Sequence, residues 1–292
     1  MARNDHYWKP NRPLLDGVVF QIIPELNTGL RSVTAGQNDF IYFLVPQQKA
    51  LVSRASNVDS VVGPTMWSIQ MYINYGREPM NNVKVRQALN FAVDREEFNK
   101  AVMGGLGEPT QTLMPKAHWA YDAEMAKFYT HDPDRARKLL AEAGHPNGID
   151  LGDYIVVAAN ALDVQAAQVL QQQWAAAGIK VNLKPMETAP LLSMWLKGEF
   201  GILSVALSWS PDPDAIVSRL LSSHPHGKAM GMDDAQLDKM VVDARAILDY
   251  GKRAAAYQQI QKHIAEQAYV LQIYQYPPVS YTHLTLPTSD LV

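Results

Sequence analysis

The chain has 292 residues, of which 47% are hydrophobic and 19% charged, with a formal net charge of −3; this is enough apolar content for about two globular domains. Lysine and arginine are scattered without a basic stripe, which argues against a nucleic-acid partner. Cysteine is absent, which excludes a disulfide framework, a thiolate metal site and a cysteine nucleophile but leaves the compartment open.

The opening MARNDHYWKPNRPLL has no apolar h-region and no small-residue cleavage site, so no signal peptide is expected in this chain. Residues 17–45 read as a βαβ unit. Val18 to Ile23 is a nearly continuous apolar run, Leu26, Leu30 and Val33 share a helix face, Gly36 suits a C-terminal cap, and Phe40 to Val45 is apolar again. From Trp67 the pattern alternates strictly, with Trp67, Ile69, Met71 and Ile73 against Ser68, Gln70, Tyr72 and Asn74, predicting a strand with one polar face. Gly76, Pro79 and Asn81-Asn82 then predict a domain crossing near 75–83.

A helix is expected from Val83 to about Phe98, with Val85, Ala88, Leu89, Ala92 and Val93 facing a core and Arg86, Gln87, Asn90, Asp94 and Arg95 on the other face. Residues 103–131 are Gly- and Pro-punctuated and include His118, Trp119 and Tyr121; so long a loop is functional or draped over a core. Asp132 and Pro133 start the next helix, and Gly144 and Pro146 end it. Strands at Tyr154–Ala159 and Ile179–Met186 alternate with helices at 162–177 and 188–197, implying right-handed crossovers and a largely parallel sheet. Two further helices, separated at Tyr250-Gly251, and a strand at Ala268–Tyr274 follow.

The stretch GILSVALSWSPDPDAIVSRLLS organises the rest. Ile202 to Trp209 is short, uncharged and rich in β-formers, as in a strand buried on both faces. Ser210-Pro211-Asp212-Pro213-Asp214 then reads as a tight turn with Asp214 as helix N-cap. A strand that delivers a Trp, two acids and a helix start to one sheet edge has the geometry of an α/β ligand crevice.

The landmarks together resemble the family 5 extracytoplasmic solute-binding proteins of ABC importers. They are Asp5-His6-Tyr7-Trp8 with Leu15-Asp16, Arg31…Ala35-Gly36…Asp39, Asn74, and Val85 through Arg95 (VRQALNFAVDR). Tyr129…Asp132-Pro133, Ala136 through Gly144, Gly178-Ile179-Lys180-Val181, Asp212-Pro213-Asp214 and Asp249…Arg253…Tyr257 complete the set. The resemblance implies an α/β, two-lobed, periplasmic-binding-protein-like fold (type II, cluster C), here incomplete. Residues 1–82 would be part of the larger lobe and 83–275 the second lobe, with 276–279 returning to the first. Residues 280–292 (SYTHLTLPTSDLV) look like an adapter-derived tail on a metagenomic reading frame. The packing of 1–82 is expected to be poor in isolation.

The implied function is that of a receptor without catalysis. It binds a peptide or related organic solute in an interlobe cleft for delivery to ABC permease subunits, as a monomer, periplasmic or membrane-anchored outside the cytoplasm in the full-length parent. Nickel, metal-chelate or oligosaccharide binding are alternatives within the family, and a soluble α/β hydrolase is the rival from another class. The expected contacts are Trp209 as an apolar platform, Ser210 and Asn160 as neutral hydrogen-bond partners and Asp212 as acceptor for a cationic or amide group, with Asp214 as the cap. Dipeptide binders of the family place an Arg before the helix matching 162–177 to hold the ligand carboxylate. Here Val157-Ala158-Ala159-Asn160 stands there, which favours a longer or less charged ligand.

No cofactor, metal or catalytic residue is expected. His224 and His226 at i, i+2 read as a solvated loop lacking a third metal ligand. Asp212 and Asp214 are too close in sequence to flank a glycosidic bond. Met66, Met71 and Met80 read as core filler. No phosphate loop, GxSxG elbow or HExxH helix occurs.

Overall fold

In a computed structural model of the chain, residues 1–23, 25–41, 48, 52, 55, 57–62, 67–208, 210–275 and 279–283 are described. Their strands are β1 (Phe40–Ile41), β2 (Val58–Val62), β3 (Trp67–Ile73), β4 (Glu108–Pro109), β5 (Ile149–Val157), β6 (Ile179–Met186), β7 (Ile202–Ser208), β8 (Leu271–Gln275) and β9 (Val279–His283). They form a three-stranded sheet, β1-β9-β2, and a six-stranded one, β4-β8-β3-β7-β5-β6. The described residues divide into two compact units, one with those up to 61 together with 279–283, the other with those from 62 to 275. The division therefore falls near residue 62, earlier than the boundary expected at 82/83.

In the smaller unit the helix Leu26–Thr34 starts where the Glu25 carboxylate accepts from the amides of Asn27 and Thr28 at 2.9 and 2.6 Å. It packs Leu30 and Val33 against Val52 and Val58. The strand expected at Val18–Ile23 does not form: Val19, Phe20 and Ile22 are 92, 76 and 91% exposed. An apolar run becomes a strand only when neighbours take up its N–H and C=O groups. Nearby, among the described residues, the chain offers the isolated bridge between Ala2 and Gly17. The expected βαβ unit is thus reduced to the helix and β1, and residues 42–45 lie outside the described ones. Of the segment read as an adapter-derived tail, 280–283 belong to β9, where Thr282 and Tyr281 pair with Phe40 and Ile41; 284–292 lie outside the described residues.

The larger unit confirms the alternation of strands and helices but not a largely parallel sheet. β5 pairs in parallel with β6 and β7, whereas β3 runs antiparallel to β7 and β8, and β8 antiparallel to β4. β3 sits in the middle of this sheet, and its polar residues do not face water: Gln70 and Tyr72 are buried, the Tyr72 hydroxyl donating to Gln70 Oε1 at 2.8 Å. Met71 and Met80 are buried as expected, and Met66 lies outside the described residues. Because β6 and β7 flank β5, right-handed crossovers put the helices Ala161–Ala176 and Thr188–Leu196 on opposite faces of the sheet.

The helix expected from Val83 to Phe98 is two helices, Val83–Phe91 and Arg95–Met103. Asp94 breaks it, accepting from the Glu97 amide at 2.9 Å as the cap of the second. Arg86, Asn90 and Arg95, assigned to the outer face, are buried. Carbonyls replace water for them: Arg86 donates to the carbonyls of Met80 and Gln267 at 2.7 and 2.8 Å, and Arg95 to that of Gln272 at 3.0 Å. Tyr250-Gly251 is no break either. Asp249 accepts from the Lys252 amide at 2.8 Å, and both residues lie in the first turn of Tyr250–Glu266.

Candidate functional site

β5 and β7 are adjacent and parallel, yet the chain leaves β5 toward β6 on one side and, after β7, returns at β8 beyond β3 on the other. Their carboxyl ends form a topological switch point, the place where open α/β sheets receive ligands. Asn160 follows β5 and the Ser210–Asp214 turn follows β7, so both lie beyond the carboxyl ends of two adjacent parallel strands. Trp209 lies outside the described residues.

Local chemistry shapes the turn. The Ser210 hydroxyl accepts from the Asp212 amide at 3.3 Å, and Asp212 Oδ1 accepts from the Asp214 amide at 2.9 Å, with Pro213 at φ −62° between them. This corrects the expected cap: Asp214 is the first residue of the short helix Asp214–Val217, and the carboxylate serving its amide is that of Asp212. The Asp214 carboxylate instead accepts from Arg245 Nε at 2.7 Å and from the Tyr257 hydroxyl at 3.3 Å. Asn160 is itself a cap, its side-chain oxygen accepting from Leu162 and Asp163 at 3.2 and 3.4 Å.

The cation that Asp212 meets belongs to the same chain. Arg253 Nη2 donates to both its oxygens at 2.9 and 3.0 Å. Burial pushes the Asp212 carboxyl up, but Arg253 and the Asp214 amide outweigh it and hold the group below the usual carboxylate range. The Arg253 guanidinium lies 5.2 Å from the Tyr257 ring centre and 5.5 Å from that of Trp119. Burial, followed by the nearby Asp214 charge, pushes the Tyr257 hydroxyl up to about 12. Trp119 closes the assembly, with its Nε1 donating to the Pro211 carbonyl at 2.8 Å and its ring 4.7 Å from Tyr250. Beside it, burial lowers the pKa of His118 against the pull of the Pro211 and Ser210 carbonyls.

Not assigned to the site from the sequence were Arg245, Arg253 and Tyr257, the last two read only as landmarks of the family resemblance, together with the role of Trp119 in fixing the turn. Tyr250, Arg253 and Tyr257 recur at i, i+3 and i+7, which puts them on one helix face and was a readable signal. His224 and His226 do not form a solvated loop. His224 Nδ1 accepts from the His226 amide at 3.2 Å as the cap of the helix Pro225–Ala229.

The sequence model for bacterial extracellular solute-binding proteins, family 5 Middle, matches residues 1–228. The chain belongs to this family. It is 31% identical over 273 residues to heme-binding protein A of Haemophilus influenzae, covering 91% of this chain and 49% of that protein. It is 26% identical to the dipeptide-binding protein of Escherichia coli, covering 90% of this chain and 50% of that one. Among solved structures, a periplasmic binding protein of Helicobacter pylori in complex with the peptide STSA superposes with a TM-score of 0.84 at 22% identity, over 96% of this chain and 55% of that one. The family 5 fold is thus shared, and the chain spans about half the length of the relatives it matches. No helix of the described residues is long and apolar enough to cross a membrane.

Proposed function

We propose that the chain is part of the solute-binding component of an ABC importer. The full-length protein takes up a peptide or related organic solute in an interlobe cleft outside the cytoplasm, as a monomer without catalytic activity, and hands it to permease subunits. The family match across residues 1–228 carries this reading, and the arrangement of Asn160 and Ser210–Asp214 at the carboxyl ends of β5 and β7 supports it. Residues 62–275 correspond to most of one lobe on this view, and the smaller unit to part of the other.

Trp209 supplies the apolar platform and Ser210 a neutral hydrogen-bond partner. Asp212, with Arg253 already on both oxygens, accepts from ligand amides rather than from a free ammonium group. Asn160 and Asp214 hold the frame. With Asn160 in place of a cation at the end of β5, the ligand is longer or less charged than a zwitterionic dipeptide. Thermal shift of the purified full-length protein against peptides, heme, nickel chelates and oligosaccharides tests this. A rise in Tm with peptides is expected; no shift with any class, together with turnover of an ester or glycoside, sinks the receptor reading in favour of a hydrolase.

A further inference from the structure

The larger sheet buries a second polar cluster away from the switch-point edge. Tyr72 pairs with Leu203 near the start of β7, five residues along β3 from Trp67, which pairs with Ser208 at the edge; at about 3.3 Å per residue the separation is roughly 16 Å. Trp195 lies 4.7 Å from the Tyr72 ring, and His226 packs 4.6 Å from the indole, with His224 5.1 Å from His226. Arg219 stands on the turn Ser218–Leu220, against which the helix Pro225–Ala229 packs. Its charge reaches the Tyr72 hydroxyl, pulling down a pKa that burial raises. Gly227 permits the approach of helix to turn, since a Cβ there would fall 1.9 Å from the Leu221 carbonyl oxygen.

Three nitrogens of this cluster, Trp195 Nε1, Arg219 Nη1 and His226 Nδ1, are buried without a hydrogen-bond partner among the described residues. Trp195 as a whole is 2% exposed. Indole and guanidinium nitrogens can only donate, and buried donors in folded proteins are almost always satisfied. Arg219 has no ion pair among the described residues. Burial, then His224 and Arg219, lowers the pKa of His226, and burial also lowers that of His224, so the positive charge of the cluster is that of the Arg219 guanidinium, with no acid paired to it among the described residues. Water would accept from these donors but would leave the Arg219 charge uncompensated. A small anion does both.

We propose that Trp195, Arg219 and His226 form an internal site for a single anion of halide size, independent of the solute-binding edge. Two experiments on the full chain test it. In crystals grown with bromide, an anomalous peak is expected within hydrogen-bond distance of Trp195 Nε1 and Arg219 Nη1. In solution, replacing sodium gluconate by sodium chloride at equal ionic strength raises Tm saturably by about 2–8 °C. Arg219→Met and Trp195→Phe abolish that chloride dependence, and Arg219→Lys retains it. Water without a bromide peak at that position, equal Tm in the two salts, or an undiminished chloride effect in Arg219→Met overturns the proposal. Should Arg219→Met fail to fold, the bromide map and salt comparison of the unaltered chain decide alone.

Discussion

The larger unit holds two Trp–Arg clusters with opposite solutions to the same problem. In the turn after β7, the Trp119 indole donates to the Pro211 carbonyl and Arg253 grips both oxygens of Asp212. In the cluster over Tyr72, Trp195 Nε1 and Arg219 Nη1 have no acceptor among the described residues. The first is half-exposed and is shaped by hydrogen bonds that its own chain completes. In the second, Trp195 and Tyr72 are deeply buried while Arg219 and His226 are partly exposed, and it is shaped by ring contacts and the close approach at Gly227. Polar satisfaction can therefore fix geometry near a surface, where water forgives a missing partner, whereas inside the protein packing fixes geometry and the missing partner must come from elsewhere.

The largest expected difference between the two is in packing. Trp195→Ala is expected to lose about 3–5 kcal/mol, as for large buried side chains, while Trp119→Ala loses about 1–2 kcal/mol through one hydrogen bond and a half-buried ring. Urea denaturation of both variants checks this, and equal losses would erase the distinction. A double-mutant cycle on Asp212→Asn and Arg253→Met should then give a coupling of about 0.5–1 kcal/mol, the usual range for an exposed pair screened by solvent. A coupling near zero would mean that the Pro-fixed backbone alone holds the turn.

Acid separates the regions further. The Asp212 pKa is depressed, so its stabilisation is full above the unfolded value near 3.8 and fades as pH falls through the folded one. The His226 pKa is depressed by burial, so protonation is resisted by the folded state and stability is lost from about the unfolded value of 6.5 downward. Stability measured against pH should fall in two small steps, one below about 6.5 and one as the Asp212 carboxyl is protonated. His226→Gln shrinks the upper step, to which His118 and His224 also contribute, and Asp212→Asn shrinks the lower, which Asp153 and Asp234 share; His118→Gln controls for the imidazole beside the turn. The smallest effect belongs to Ser210→Ala, a loss of about 0.5 kcal/mol or less from the hydroxyl that accepts the Asp212 amide. A larger loss would show that the hydroxyl and not the two prolines sets the turn.

Much of this molecule is legible in its amino-acid order. The cap at Asp132 and the left-handed Gly144, with φ 93°, involve contacts within about four residues, and each behaves as its sequence says. The helix stripes with Leu170 and Trp174, or with Leu237 and Val241, face the core because a 3.6-residue period leaves them no other face. The strand-helix rhythm through β5, β6 and β7, and with it the placing of Asn160 after β5 and of Ser210–Asp214 after β7, is readable for the same reason.

What tertiary structure decided were matters of partners. Strand order is set by pairings far apart in sequence, so the alternating β3 became a buried central strand and Val18–Ile23, without a ladder, became none. Burial of Arg86 and Arg95 depended on carbonyls of Gln267 and Gln272, and the engagement of Asp212 depended on Arg253. Periodicity predicts which face of an element turns inward; only the folded chain supplies the groups that make an inward charge tolerable or leave one waiting for a partner.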